Sequence, residues 1–205
     1  MTHDLSIQLV SAWHDTSWIE LLAAALALIY VLLAIGQRLS CWIASFVGSV
    51  LYVWVFFSAR LYMESLLNAF FAAMAIYGFW QWQHGKGGGE LHVTRWPVAR
   101  HGLALLGILS AAAVNAFLLA RFTPAANPFI DSMLAWSSVF TTFLVARKVY
   151  ENWYWWLVID SVSLCLYFTR GLYLTMLLFG LYLVLIVIGM RQWRRTLPRP
   201  AYAVG

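Results

Sequence analysis

The sequence predicts an all-α membrane protein with seven transmembrane helices, arranged as two parallel three-helix repeats around one linking helix. Three observations carry this expectation. The 205-residue chain is 63% hydrophobic and 10% charged, whereas soluble domains carry about 25% charged residues. Seven apolar runs recur along it, each near the length that crosses a bilayer. The first and last parts also align with one another at a fixed offset. Mean hydropathy is +0.76, and the whole of 1–205 reads as a single transmembrane domain.

The runs are Trp18–Gly36, Trp42–Ala59, Leu61–Trp82, Gly102–Ala120, Phe129–Ala146, Trp153–Thr169 and Leu172–Met190. A helix needs about 17 to 25 residues to cross the hydrocarbon core. Helices are the form such runs take, because lipid offers no partner for backbone groups. The alternating pattern of an outer-membrane barrel is absent. The opening "MTHDLSIQLVSAWHDTSW" lacks the basic region of a signal peptide, so segment one is expected to stay in the protein. Glu20 and Asp131, at the starts of segments one and five, read as favourable helix N-terminal charges.

Between segments three and four lies "QHGKGGGELHVTRWPVAR". It reads as a flexible cytoplasmic linker. Its "GKGGG" lacks the spacing and the Ser/Thr of a phosphate loop. His84, His92 and His101 show no ordering that would hold a metal. Cys41 and Cys165 lie in or beside apolar runs and read as neither a disulfide framework nor a zinc site. No cofactor is expected.

The net charge is +5, but the cations sit at segment ends, which argues for membrane orientation and against nucleic acid. One side holds Arg38, Lys86, Arg95, Arg100, Arg147, Lys148, Arg191, Arg194, Arg195 and Arg199. The other holds Arg60, Arg121 and Arg170. The positive-inside rule then places the N-terminus outside and the C-terminus in the cytoplasm.

Laying Trp18 on Phe129 aligns 18–82 with 129–193 without a gap. Of these 65 pairs, 13 are identical, among them Trp42 with Trp153, Leu61-Tyr62 with Leu172-Tyr173, Gly78 with Gly189 and Gln81-Trp82 with Gln192-Trp193. Three crossings end opposite to where they began. A second copy in the same orientation needs one further crossing, and the run at about 102–120 supplies it. The result is a 3+1+3, SWEET-like architecture, and parallel repeats of this kind point to a transporter with its site between the halves.

Segment six carries a polar and aromatic stripe of Trp153, Trp156, Asp160, Ser163 and Tyr167, at spacings of three and four. Segment two carries the equivalent stripe of Trp42, Ser45, Ser49, Tyr52 and Phe56. Glu64 and Asn68 share a face of segment three. Asp160 lies seven residues beyond Trp153, about 10 Å along the axis. A carboxylate at that depth costs about 2.5–3.5 kcal/mol, so it needs a partner or a wet cavity. Ser, Tyr or Arg partners would make Asp160 and Glu64 structural. Trp18, Trp80, Trp82, Trp155 and Trp193 read as interfacial belt. Trp153 and Trp156 stand between belt and site. Indole faces beside a carboxylate and amides suit a planar, ring-bearing solute, neutral or cationic. A phosphorylated solute would want Lys or Arg in the site.

The stretches "NWYWWLVID", "RGLYLTMLLFGLYLVLIVIGMRQW" and "CWIASFVGSVLYVWVFFSARLYMESLLNAFFAAMAIYGFWQW" resemble the PnuC family of vitamin transporters over about residues 18 to 195. The most specific parts are the paired Trp153 and Trp156 followed by Asp160, and the Leu61–Asn68 stretch with Glu64. The resemblance implies a bacterial inner-membrane homotrimer that takes up nicotinamide riboside by facilitated diffusion, with a cytoplasmic kinase trapping the solute. It also implies Trp153, Trp156, Asp160, Glu64, Asn68 and Asn152 as solute contacts. Relatives that carry thiamine or riboflavin keep those solutes open. Proton coupling through Asp160 or Glu64, an intramembrane enzyme using them as an acid pair, and a structural subunit are the rival readings. No His or Cys accompanies either acid, which weighs against the enzyme.

Overall fold

The computed structural model describes residues 18–85, 90–123 and 127–198, with every side chain there except those of Glu20 and Leu174. The opening segment 1–17, Lys86 and the glycines after it, the Glu20 side chain and Arg199 lie outside the described residues.

Seven α-helices occur among the described residues: α1 (Trp18–Ile35), α2 (Cys41–Ser58), α3 (Tyr62–Gln83), α4 (Val98–Phe122), α5 (Pro128–Ala146), α6 (Asn152–Thr169) and α7 (Tyr173–Arg195). Their bounds follow the apolar runs, and α4 is longer than its run at both ends. By length and composition alone, α2, α4, α5 and Thr175–Arg195 of α7 are apolar enough to cross a membrane. Leu21–Ile35 of α1 is apolar but shorter, and polar residues dilute the remaining two: α3 carries Glu64 and Asn68, and α6 carries Asn152 and Asp160.

The turns explain how the chain reverses. Gln37, Arg60, Lys148 and Gly171 take positive φ, at 54°, 61°, 48° and 73°. At each one the chain closes its helix with the paired bonds of a Schellman turn, for instance Arg38 N–H to Leu33 O and Val149 N–H to Leu144 O. In the alignment of the two halves, Gln37 falls on Lys148 and Arg60 falls on Gly171. Helices α2 and α6 correspond at both ends under the same alignment, Cys41 with Asn152 and Ser58 with Thr169.

Packing partners close a ring. Helix α1 packs on α2, α2 on α3, α3 on α5, α5 on α6, α6 on α7, and α7 on α1. Opposite members of this ring, α2 and α6 among them, do not pack on one another along their lengths. Helix α4 stands outside and packs on α5, where Asn115 donates to the Ser132 hydroxyl. Much of the α4 surface is exposed, including Leu103, Leu106, Val114 and Phe117.

One end of the ring is filled by indoles. Trp42 and Trp82 meet edge to face at 5.4 Å and 87°. Trp153 and Trp193 do the same at 5.5 Å and 88°. Trp82 of α3 and Trp193 of α7 lie 6.2 Å apart and join the two pairs across the ring. The Trp82 indole donates to Val145 O at the end of α5, and the Trp193 indole donates to Ala34 O at the end of α1. Val145 is the counterpart of Ala34 in the aligned halves, so the two bonds are reciprocal. Both tryptophans are core residues, 5% and 0% exposed. That corrects the interfacial-belt expectation for Trp82 and Trp193, because each indole N–H reaches a helix-end carbonyl inside the ring, as a second donor beside the backbone N–H of the turn. Trp18 and Trp80 do stay exposed, at 72% and 56%.

Candidate functional site

The candidate site is built on α6 at the inner face of the ring. Asn152 is the first residue of that helix and Trp153 the second, so both sit at the indole end. Trp153 is 4% exposed. Its ring lies against Gly189 of α7, where any Cβ would overlap it, just as Trp42 lies against Gly78 of α3. Trp153 is therefore seated by packing. Asn152 is fully buried, and its amide donates to Val149 O at 2.6 Å.

Among the described residues, the buried polar atoms without a hydrogen-bond partner include Trp42 Nε1, Trp153 Nε1 and Asn152 Oδ1 at this end, besides Arg147 Nε in the α5–α6 turn and His101 Nε2 in α4. Native interiors leave few such atoms, and those that remain commonly meet water or a ligand. Trp42 and Trp153 thus hold unpartnered indole donors at equivalent positions, and Asn152 holds an unpartnered acceptor beside Trp153.

One turn further along α6, Trp156 is half-buried against the same core. One more turn reaches Asp160, which is 6% exposed. Ser163 on the same stripe is 5% exposed. Tyr182 of α7 lies within electrostatic reach of both Asp160 and Tyr52. Beyond them, Tyr167, Phe179 and Tyr182 form an aromatic ladder with centroid separations of 5.2 and 5.8 Å. The ladder runs from α6 to α7, toward the end opposite the indoles.

Glu64 and Asn68 are placed differently. Glu64 lies exposed in the first turn of α3, and Asn68 donates to Glu64 O within the same helix. Helix α3 does not pack on α6, so these two residues are not brought into contact with the stripe of α6. They lie on a helix separated from α6 by α5. The buried polar side chain of that turn is Ser65, which donates to Val53 O of α2.

Three further expectations change. The later half of the linker between α3 and α4 is tied down, not loose. Thr94 pairs with residues 148 and 150 through its backbone, Val93 is buried, and Trp96 N–H donates to Glu151. His101 is ordered too: it accepts a hydrogen bond from Trp155 Nε1 at 3.2 Å and faces Glu151 at 4.0 Å. Trp155 packs edge to face on Phe140, so it is a joint between α4, α5 and α6 and not a belt residue. Sequence reading used Lys148 for orientation alone. In the fold it is 7% exposed, with its ammonium 4.5 Å from the Trp82 ring centre. Burial lowers its pKa, and the Glu90 carboxylate opposes that shift. No cluster of three His, Cys, Asp or Glu able to hold a metal occurs among the described residues. Cys41 and Cys165 are free thiols.

The model of the nicotinamide mononucleotide transporter family matches residues 17–195. The chain belongs to that family. It is 28% identical to the nicotinamide riboside transporter PnuC of Escherichia coli K12 and to that of Shigella flexneri, over 88% of this chain and 86% of each relative. It is 25% identical to the riboflavin/roseoflavin transporter RibM of Streptomyces davaonensis, over 86% of this chain and 84% of the relative. Its fold matches the crystal structure of the vitamin B3 transporter PnuC at a TM-score of 0.71 and 21% identity, covering 94% of this chain and 87% of that one. The PnuC family resemblance read from the sequence is thus borne out, and so is the all-helical fold. The chain is a multi-pass membrane protein, and its named relatives are transporters, not enzymes.

Proposed function

We propose that this protein carries nicotinamide riboside into the bacterial cell by facilitated diffusion, with a cytoplasmic kinase trapping the product. One observation carries the choice of solute. The groups buried or half-buried on the ring helices include indoles, phenols, an amide and one carboxylate, and among the described residues no lysine or arginine lies in the middle of a spanning helix. A mononucleotide would bring a phosphate that this interior leaves without a cation. The riboside brings a cationic ring and hydroxyls, which indoles, amides and a carboxylate can engage.

In this reading Trp156 offers a ring face, Trp153 and Asn152 offer the unpartnered indole N–H and amide oxygen, and Asp160 faces the solute from mid-helix. Glu64 and Asn68 approach from α3 across the ring. The fold is 3+1+3, with repeats 18–82 and 129–193 around the linker helix. The matched Schellman turns and the reciprocal Trp82 and Trp193 bonds support it. The N-terminus lies outside and the C-terminus in the cytoplasm of the inner membrane, so the indole end faces inward. Assembly as a homotrimer follows the family resemblance. The RibM relative supports a second reading, in which the solute is riboflavin. Thiamine is a third.

Tryptophan fluorescence of the purified protein tests this reading. Nicotinamide riboside should quench it selectively over thiamine and riboflavin, and Trp156→Ala should abolish the response. Trp156 is the cleaner probe, because Trp153→Ala also empties a core position. A selective response to riboflavin would keep the site and change the solute. No response from folded protein would sink the assignment.

A further inference from the structure

We propose that Asp160 is the counter-ion that makes this transporter select rings bearing a positive charge over uncharged rings of the same shape. The inference rests on the solute site proposed above and names the class of substrate that site takes: planar heteroaromatic cations.

Asp160 sits near the centre of α6, which runs from Asn152 to Thr169. It is 6% exposed. Other carboxylates with partners have them at helix ends or in loops. Asp131 pairs with Arg170 at 3.4 Å, and Glu151 accepts from the Trp96 N–H and faces Arg95 and His101. Among the described residues, Asp160 has no salt bridge and no hydrogen-bond donor. The polar groups around it are neutral: the Tyr182 phenol of α7, which also faces Tyr52 of α2, and, one turn on, the buried Ser163 hydroxyl.

Packing does not demand an acid here. The counterpart of Asp160 in the first half is Ser49, and it is also buried, at 9% exposed. The scaffold therefore accepts a small hydroxyl where α6 presents a carboxylate. A buried anion without a partner is costly in protein and in lipid. That cost is offset whenever a cation enters the ring. A positively charged ring stacked on Trp156 would be held by the indole face and the carboxylate together. An uncharged ring would keep the stacking and lose the ion pair.

The test compares two probes that share ribose and carboxamide: nicotinamide riboside, whose ring is cationic, and dihydronicotinamide riboside, whose ring is uncharged. Binding of each to purified protein is measured by calorimetry. Wild-type protein should prefer the cation by about 30-fold, the size expected when one partner of a buried charge pair is removed. Asp160→Asn should bring the two affinities within a few-fold of one another, chiefly by weakening the cation, and Asp160→Glu should keep the preference. Should Asp160→Asn fail to fold, Asp160→Ser repeats the test with the residue of the equivalent position. A wild-type ratio near one, or a preference that survives Asp160→Asn, overturns the counter-ion and leaves the solute site standing. Uptake into liposomes that follows a proton gradient and loses that dependence in Asp160→Asn also overturns it, because Asp160 would then be a proton carrier. Failure of wild-type protein to bind either probe removes both the inference and the site beneath it.

Discussion

Gly189 and Gly78 show what a single missing side chain decides. Each leaves the space that an indole of the neighbouring helix occupies, Trp153 in one case and Trp42 in the other. Gly189→Ala should therefore destabilise the protein by about 1–3 kcal/mol, the usual cost of overpacking. Thermal unfolding in detergent would read this, and adding Trp153→Phe should recover part of the loss. The Trp193 indole bond to Ala34 O is worth about 1 kcal/mol, so Trp193→Phe should lower the melting temperature even though an aromatic ring remains. Lys148 offers a test by pH. Burial lowers its pKa below the unfolded value, so the unfolded chain binds more protons just below the ordinary lysine range. Stability from this group must then rise with pH through that window. Lys148→Met should flatten the rise, measured as the difference in melting temperature between neutral and alkaline buffer.

The turns and the linker decide how the helices are held. Gly171 adopts φ +73° in open surroundings, so Gly171→Ala meets only backbone strain, about 1–2 kcal/mol. A much larger loss would mean the turn has an unseen contact. Arg60 holds the same conformation at the equivalent turn, which shows that the cost is tolerable. The segment from Thr94 to Trp96 is pinned on the α5–α6 turn through backbone bonds and Glu151. Glu151→Gln should weaken that anchor, and hydrogen exchange at positions 94–101 should speed up while α2 and α7 stay protected. That anchor escaped sequence reading because its parts are short and lie far apart in the chain. Glycines and charges in a row read as a loose linker, and only the pairing partner at positions 148–150 shows otherwise.

At the scale of the whole molecule, six helices form a ring whose opposite walls do not pack along their lengths, and four indoles close one end of it. The Trp82–Trp193 contact and the reciprocal bonds to Val145 and Ala34 hold that end together. Orientation is open to direct test. A single cysteine at Leu197, in a chain lacking Cys41 and Cys165, should react with an impermeant thiol reagent in inside-out vesicles and not in intact cells. The reverse pattern would invert the orientation and the assignment of the indole end.

The sequence by itself determined the helices, because an apolar run in a bilayer has no alternative to pairing its own backbone groups. It also determined the polar stripe of α6, because spacings of three and four define a helix face whatever that face meets. The family was legible as well, since its most specific residues cluster in a few short stretches. Only the tertiary structure decided what each stripe residue touches. It separated Trp153, wedged on Gly189 of the next helix, from Trp156, half-buried against the same core. It moved Trp82 and Trp193 from the lipid boundary to the core, and it left Asp160 buried without a cation while Glu64 stayed exposed on α3. Composition gives an indole or a carboxylate the same meaning wherever it falls in a helix. Its neighbours across the ring come from distant parts of the chain, and those neighbours set whether it packs, anchors or binds.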